Sequence, residues 1–452
     1  MGKNPDGAKR VEDGRIREGV LLDDAYRTSL AYVVRFYPRW FTYHQQQVPH
    51  TQLFGPLTMT PEFKEVNAPN VDTSYVTSFV DVTAEPAILR IPSTPVVYSL
   101  FTSDVYGNVF QTTIQPPAPG LYAIVGPGTP TRGIPRDATR VEVPVPFSVW
   151  IIRADNFGPS GDPQPVLVDE FRTGLQLAPL SAYLADPTGN HGRLVPVVLF
   201  GQPFKVIADN QIRESPTTFL LTLQRALADP TTPPPTGVAR RLARRMDRFL
   251  RFLGDHPQDL PLRSAILEGV QDAHTAIVDR YLSHVGATQW IRFMDIGEWS
   301  SDLDRSATTE FLQYGNETST AVYFHTFNDG HGHPLDCTNV PAYRLTFPAD
   351  QIPEAKRFWS VTAYLPESIT LIPNEVDKYS VGSYTEGLVR DADGSLTIYI
   401  QHRSPGPALH PNCLPCSADG PFNLMLRVYG PEGNVDQDYT PPAVEPSVRK
   451  FV

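Results

Sequence analysis

Four groups of residues in this chain have the types and spacing that chemistry requires. The first is Asn67, Asn70, Asp72, Thr73 and Tyr75 in the stretch VNAPNVDTSYV. In an extended strand Asn70 and Asp72 share one face, and Thr73 and Tyr75 the other. A polar start before an apolar run puts Asn70 and Asp72 at a pocket mouth or in an Asx-turn. The second group is Asp104, Tyr106 and Asn108, expected on one face of a strand. Such a face meets either solvent or a cavity, and the Tyr106 phenol can act as donor or weak acid. The third is His325, Asp329, His331, His333 and Asp336, gathered within twelve residues. Two histidines and a carboxylate make an iron facial triad, and the same donors suit Zn, Mn or Cu. The stretch Asn328 to Pro334 reads equally well as a hairpin turn with Asp329-Gly330 at its tip. The fourth group is Tyr343, Arg344, Trp359, Tyr364, Asn374, Tyr379, Tyr399, Gln401, His402, Asn412 and Arg427. Apolar walls with a few aimed polar groups are how pockets are built, and Arg344 or Arg427 would hold a carboxylate or enolate. Ordinary packing of aromatics in a core and arginines on a surface accounts for the same composition.

These residues must be positioned by strands and helices that the sequence partly declares. The 46 prolines in 452 residues are about twice the usual share of roughly 5%, which favours many short strands joined by turns. Leu22, Tyr26, Leu30, Val33 and Tyr37 fall on one face of a helix, with Pro38 expected to end it. Residues 66–155 predict five or six strands separated by Pro/Gly turns. Helical spacing returns at Phe219 to Leu227, in the arginine-rich Val238 to Leu253, and from Leu262 to Val285. Near the end, Trp359, Val361 and Ala363, then Leu396, Ile398 and Ile400, then Leu424, Leu426 and Val428 alternate with polar residues, as half-buried strands do. Asp391-Ala-Asp-Gly394 is a turn between two such runs. The fold expected is mainly β with a helical insert: two domains of β-sandwich or jelly-roll type bridged by helices. The boundaries expected are a flexible leader at 1–18, a β domain with its leading helix at 19–175, helices at 176–305, and a second β domain at 306–452.

Two stretches resemble known families. Phe358 to Tyr364 (FWSVTAY), Asp393 to Gln401 (DGSLTIYIQ), Asn412 to Pro415 and Phe422 to Pro431 resemble the bacterial domain of unknown function 1214. Pro69 to Tyr75 (PNVDTSY), Asp104 to Phe110, Gly126-Pro127-Gly128 and Trp150 to Arg153 resemble the domain of unknown function 1254. The two occur in the order that such paired proteins use. The resemblance implies that the segment around Asp72 matters without saying for what. His331 and His333 depart from its pattern, so a metal reading gains nothing from it.

Composition excludes several function classes. A net charge of −11 argues against nucleic acid or an anionic membrane as the main partner. The arginine-rich helix is read as a solvated face that pairs with local acids. The polar N-terminus has no apolar signal core, and cytoplasmic placement is expected. Cys413-Leu-Pro-Cys416 lies between strands and has no second pair for zinc, so its thiols are read as incidental. Serine-hydrolase, P-loop, zincin and dinucleotide motifs do not occur. The expectation is therefore an enzyme with no organic cofactor, working on a small, largely apolar substrate in an aromatic-lined pocket of at least about 300 Å³. Cyclisation or isomerisation suits it, because shape and the exclusion of water carry the rate. Asp72, Tyr106 and His325 are the candidate acids or bases. Asn70, Tyr75, Asp104, Asn108, Arg344, Trp359, Tyr364, Tyr379, Tyr399 and Arg427 are the candidate binding residues. The alternative is a non-catalytic ligand-binding protein, with Asp391, Asp393, Asp436 and Asp438 as Ca²⁺ ligands. A third reading is a metal-dependent oxygenase built on His325, Asp329, His331 and His333. A homo-oligomer is left open.

Overall fold

The structure is a computed structural model that describes residues 5–56, 58–188, 192–196, 203–293, 295–338, 340–418 and 420–447. Among the described residues it is a mixed α+β protein with four open sheets and eight α-helices. No helix among them is long and apolar enough to cross a membrane.

The chain enters through helix α1 (Pro5–Gln45), longer at both ends than the apolar spacing suggests. The helix begins at Pro5, so residues 5–18 of the expected leader fall within its bounds, and residues 1–4 lie outside the described residues. Once a helix is nucleated, each added residue gains one backbone bond, so Lys-, Arg- and Glu-rich sequence extends it readily. Pro38 does not end it. A proline inside a helix leaves the carbonyl four residues back without its donor. Here that carbonyl belongs to Val34, and Ser306 Oγ donates to it at 2.6 Å. Arg305 Nη2 serves the next carbonyl, that of Arg35, at 2.9 Å. A neighbouring helix thus repairs the gap.

The N-terminal β region comprises β1 (Phe54–Gly55), β2 (Thr73–Asp81), β3 (Ala87–Ile91), β4 (Tyr98–Ser103), β5 (Gly120–Val125), β6 (Thr139–Glu142), β7 (Phe147–Asp155), β8 (Gln176–Pro179) and β9 (Val195–Pro196). Helices α2 (Pro165–Gly174) and α3 (Leu180–Ala185) flank β8. One sheet runs β4-β7-β2-β1-β9 and the other β6-β5-β3-β8. They share one core, in which Val76, Val80, Trp150 and Ile152 meet Leu89, Ile91, Tyr122 and Ile124.

Helices α4 (Phe204–Glu214), α5 (Pro216–Ala228), α6 (Gly237–Asp255) and α7 (Leu260–Leu282) gather against α1, and α8 (Asp302–Phe311) follows. Tyr32, Val33, Phe36, Tyr37 and Trp40 of α1 pack on Phe219, Leu223, Ile266 and Val270. Close approach of α1 to α7 depends on Gly269, where a Cβ would collide with Ser29 Oγ. On α6 Arg245 pairs with Asp24, as expected of a solvated basic face.

The C-terminal region comprises β10 (Ile291–Arg292), β11 (Ala321–Thr326), β12 (Ala342–Phe347), β13 (Ala355–Leu365), β14 (Thr370–Leu371), β15 (Ser380–Gly382), β16 (Leu396–Gln401), β17 (Cys413–Leu414), β18 (Asn423–Pro431) and β19 (Val444–Pro446). One sheet runs β10-β11-β18-β13-β14, with β15 also on β13, and the other β17-β16-β12-β19. Trp359, Val361, Leu424, Leu426 and Phe324 of the first sheet meet Leu345, Phe347, Ile398 and Ile400 of the second. The expected alternation is present, yet the polar side of the first sheet is buried too. Ser360, Thr362, Tyr364, Met425 and Arg427 are all closed off from solvent, because α7, α8 and residues 68–73 cover that side. Closure into a barrel or jelly roll, expected from the sequence, is not seen among the described residues. The sheets stay open because neighbouring elements cover their second faces.

Candidate functional site

The covered face of the C-terminal sheet and the outer face of the β1-β2-β7 sheet confront each other and leave a chamber between the two β regions. On the N-terminal side, Tyr75 and Thr77 of β2 stand across from Arg153 and Ile151 of β7. On the C-terminal side, Tyr323 of β11 stands across from Arg427 of β18, and Ala321 across from Tyr429. Each sheet therefore offers one Tyr–Arg cross-strand pair to the same space. Phe54, Pro56, Phe63, Val66, Phe79 and Leu312 form apolar walls, and Gln45, Glu65, Asn70, Gln313 and Tyr314 complete them. Gly55 is required in the wall, since a Cβ there would collide with the Tyr75 carbonyl.

The free volume is about 50 Å³, well below the expected minimum, because bulky rings fill the gap between the sheets. A water needs roughly 10–15 Å³ of such space, so about four fit. That is roughly 120 Å³ of liquid, the bulk of an organic molecule of a few carbons.

Both arginines are buried, Arg153 at 5% and Arg427 at 1% exposure. Arg153 Nη1 donates to Asn316 Oδ1 at 3.0 Å and Nη2 to the Tyr314 carbonyl at 2.7 Å, while Nε has no partner among the described residues. Its guanidinium lies over the Tyr75 and Phe101 rings. Arg427 Nη2 donates to the Ala68 carbonyl at 2.6 Å, Nη1 lies 3.5 Å from Thr362 Oγ1, and the group lies over the Tyr364 ring. Among the described residues neither guanidinium has a carboxylate within ion-pair distance, whereas nearby Arg357 pairs with Asp155 and Arg305 with Asp302.

The phenols add to this surplus of donors. Tyr75 Oη accepts from the Asn70 amide N–H, Tyr323 Oη from the N–H and Nδ2 of Asn316, and Tyr429 Oη from Asn70 Nδ2. Each oxygen is occupied as an acceptor, and among the described residues no acceptor takes its own O–H. Backbone strain gathers here as well. Ala68 and Tyr314, both in the lining, have φ of 55° and 57°, and Ile369, whose carbonyl accepts from Ala68 N, has φ of 48°. Such conformations cost on the order of 1–3 kcal/mol each outside glycine and cluster at functional sites. At Ala68 and Tyr314 these backbones carry the carbonyls that hold the two arginines.

The candidates named from sequence separate in space. Asn70, Tyr75 and Arg427 line the chamber. Asn70 also makes the Asx-turn, its Oδ1 accepting from the N–H groups of Asp72 and Thr73. Asp72 is wholly buried in the seam between the β regions and is not part of the lining. Ser360 Oγ donates to its Oδ2 at 2.7 Å and Tyr384 to its Oδ1. Burial raises its pKa, against the lowering pull of Arg427. Tyr364 lies in the same seam, its hydroxyl on the Pro69 carbonyl at 2.6 Å. Trp359 belongs to the C-terminal core.

Asp104, Tyr106 and Asn108 do not share a strand face. β4 stops at Ser103, and Asp104 Oδ1 caps a turn by accepting from the N–H of Tyr106 and of Asn108, with Gly107 at φ 82°. Tyr106 packs on α1, donates to the Pro233 carbonyl, and is pushed up by burial to about 12. Arg344 is exposed on β12, across from Tyr399 of β16, on the far side of the C-terminal region. Tyr379 bonds Asp377 beside a loop.

His325 is buried between the Tyr281 hydroxyl and Asn423 Oδ1, and burial lowers its pKa to about 3, so it stays neutral. His331 and His333 are exposed on the turn that Asp329 caps. The third reading, a histidine metal site, is therefore not assembled: His325 is buried, whereas His331 and His333 are exposed on the turn that the sequence also offered. Asp391, Asp393 and Asp436 each accept from nearby N–H or O–H groups, and among the described residues neither they nor Asp438 gather into a Ca²⁺ cage.

Among the described residues, Asp209, His274 and Glu310 do converge, with ligating atoms within 4.8 Å of one another. The Lys205 ammonium already occupies the cluster, bonding Asp209 Oδ2 at 2.7 Å and Glu310 Oε1. His274 Nε2 stands 3.1 Å from Asp209 Oδ1, at ion-pair distance but out of line for a hydrogen bond. The chemistry-bearing residues that the sequence did not single out are Glu65, Arg153, Tyr323 and Tyr429. The signal for Arg153 was available, since it ends the alternation Phe147, Val149, Ile151 on one strand face.

In comparisons with known proteins, no curated protein matches the chain. The structure is similar to that of the VPA0106 protein from Vibrio parahaemolyticus, with a TM-score of 0.58 and 18% identity over 94% of this chain and 100% of that one. An uncharacterized protein from Burkholderia cenocepacia gives a TM-score of 0.44 and 14% identity, over 94% of this chain and 93% of that one. Family models described as proteins of unknown function match residues 52–179 (DUF1254) and 320–433 (DUF1214). The chain belongs to the proteins that carry DUF1254 followed by DUF1214, and the chamber lies where these two domains meet.

Proposed function

We propose that the protein is an enzyme without an organic cofactor that moves a proton on a small organic molecule held in the interdomain chamber. The observation that carries this reading is an interdomain space where one carboxylate, Glu65, lines the same walls as several phenolic and guanidinium donors. Isomerisation needs little more. Glu65 removes a proton from a carbon next to an unsaturated polar group, and the charge moves onto an oxygen. Tyr323 or Tyr429 donates to that oxygen, where stabilisation in a dry site is worth most. Glu65, whose carboxyl proton exchanges with solvent, then gives a proton to another carbon, so no oxidant or reductant takes part. Of the two reactions expected from sequence, a proton shift on a few carbons suits the free volume better than cyclisation of a long polyunsaturated chain.

The test is proton exchange in D₂O, followed by NMR, with but-3-enoate and but-3-enamide and the full chain. Deuterium should enter carbon 2 or carbon 4, and Glu65→Gln should slow it by at least about a hundredfold. Binding in the chamber without exchange in either compound would replace the enzyme with the non-catalytic ligand-binding alternative.

A further inference from the structure

We infer that the molecule held in the chamber is a small carboxylic acid whose carboxylate lies between Arg153 and Arg427. This rests on the preceding reading only in taking the chamber as the ligand site. Burying a charge with no opposite charge at ion-pair distance is costly, and among the described residues two such guanidinium groups, each hydrogen-bonded to neutral groups, line one space. Asp72 is the acid whose field reaches Arg427, yet it lies beyond ion-pair distance and is engaged by Ser360 and Tyr384. Burial works against the charge on Arg153, and the groups that offset it most are Tyr75, Tyr429 and Tyr323 rather than an acid.

Hydrogen-bond capacity points the same way. Arg153 Nε is buried without a partner among the described residues, and the hydroxyls of Tyr75, Tyr323 and Tyr429 are all used as acceptors. The lining sets two guanidinium groups and these three phenols against the single carboxylate of Glu65, which leaves donors in excess for further oxygen with negative charge and several lone pairs. A carboxylate supplies both and matches the planar fork of arginine. The opposite, apolar walls take a short hydrocarbon chain, and the free volume limits it to a few carbons.

The experiment is calorimetry and thermal shift on the full chain. The probes are acetate, propanoate, but-3-enoate and pentanoate, each beside its amide. The acids should bind at least about tenfold more tightly than their amides, the usual value of a charge-assisted bond. Arg153→Gln and Arg427→Gln should each remove that preference, and Arg427→Lys should restore part of it. The comparison of acid with amide on the unmodified protein needs no variant to fold. Equal binding of acids and amides, or preference for amides, overturns the inference and leaves the chamber as a ligand site. No binding by any of the eight overturns both. Acids that bind without proton exchange leave this inference standing and remove the enzymatic one.

Discussion

Arg153 and Arg427 reach one chamber from two different sheets, each standing directly across a strand pair from a tyrosine. The two pairs belong to separate domains, so neither domain alone contains the site. The segment from Ala68 to Thr73 joins them. It is held to the C-terminal sheet by Arg427 on the Ala68 carbonyl, Tyr364 on the Pro69 carbonyl, Asn70 on Tyr429, and Ser360 on Asp72.

The proline in α1 gives a direct stability prediction. Ser306→Ala removes the donor that the structure gives the Val34 carbonyl. Leaving such a group unsatisfied costs roughly 1–3 kcal/mol. The companion change Pro38→Ala restores the helical N–H, so the double variant should regain most of the loss. Urea denaturation of the unmodified protein, the two single variants and the double variant checks this. A loss on Ser306→Ala that is the same with and without Pro38→Ala would contradict it.

The buried charge cluster predicts a pH dependence with two limits. Burial works against the charge on His274, but the Asp209 and Glu310 carboxylates outweigh it and raise the pKa to about 9 from 6.5. A raised histidine contributes stability that is complete below about pH 6.5 and is lost as pH rises through about 9. The size is on the order of 3 kcal/mol. Burial also opposes ionisation of Glu310, and Lys205 and His274 outweigh it, lowering that carboxyl to about 2 from 4.5. Its contribution is present above about pH 4.5 and is lost as pH falls through about 2. Melting temperatures of the unmodified protein and His274→Gln from pH 6 to 10 should converge at the alkaline end. Parallel curves would contradict the assignment.

The thiols give a third prediction. Cys416 does not meet Cys413 of its CxxC motif. Its Sγ lies 2.7 Å from that of Cys337, 79 residues away in sequence. Mild oxidation of the folded protein should link Cys337 to Cys416 and leave Cys413 free, as read by mass spectrometry of non-reduced peptides. A Cys413–Cys416 link would contradict the geometry.

The sequence made the strands legible because their apolar residues alternate, as in Trp359, Val361 and Ala363. It did not reveal that the intervening Ser360, Thr362 and Tyr364 are buried as well. Alternation tells which residues share a face, and what covers that face depends on distant segments. For the same reason Arg427 was visible as a candidate while its counterpart Arg153 was not, and Asp72 was noticed although it lies in the seam rather than in the chamber. Local chemistry decides the other two groups: Asp104 caps a turn where a strand was expected, and Asp329 caps the turn that the sequence had offered as the alternative to a metal site. Pro38 failed because its repair comes from Ser306, which is 268 residues away and carries no local signal.

The central claim is that two domains enclose an anion site. Crystals of the full chain soaked in but-3-enoate test it most directly. The account predicts carboxylate density within hydrogen-bond distance of both Arg153 and Arg427, with the hydrocarbon end toward Phe54 and Phe79. Ligand density elsewhere on the molecule, with the space between the two guanidinium groups unchanged, would contradict it.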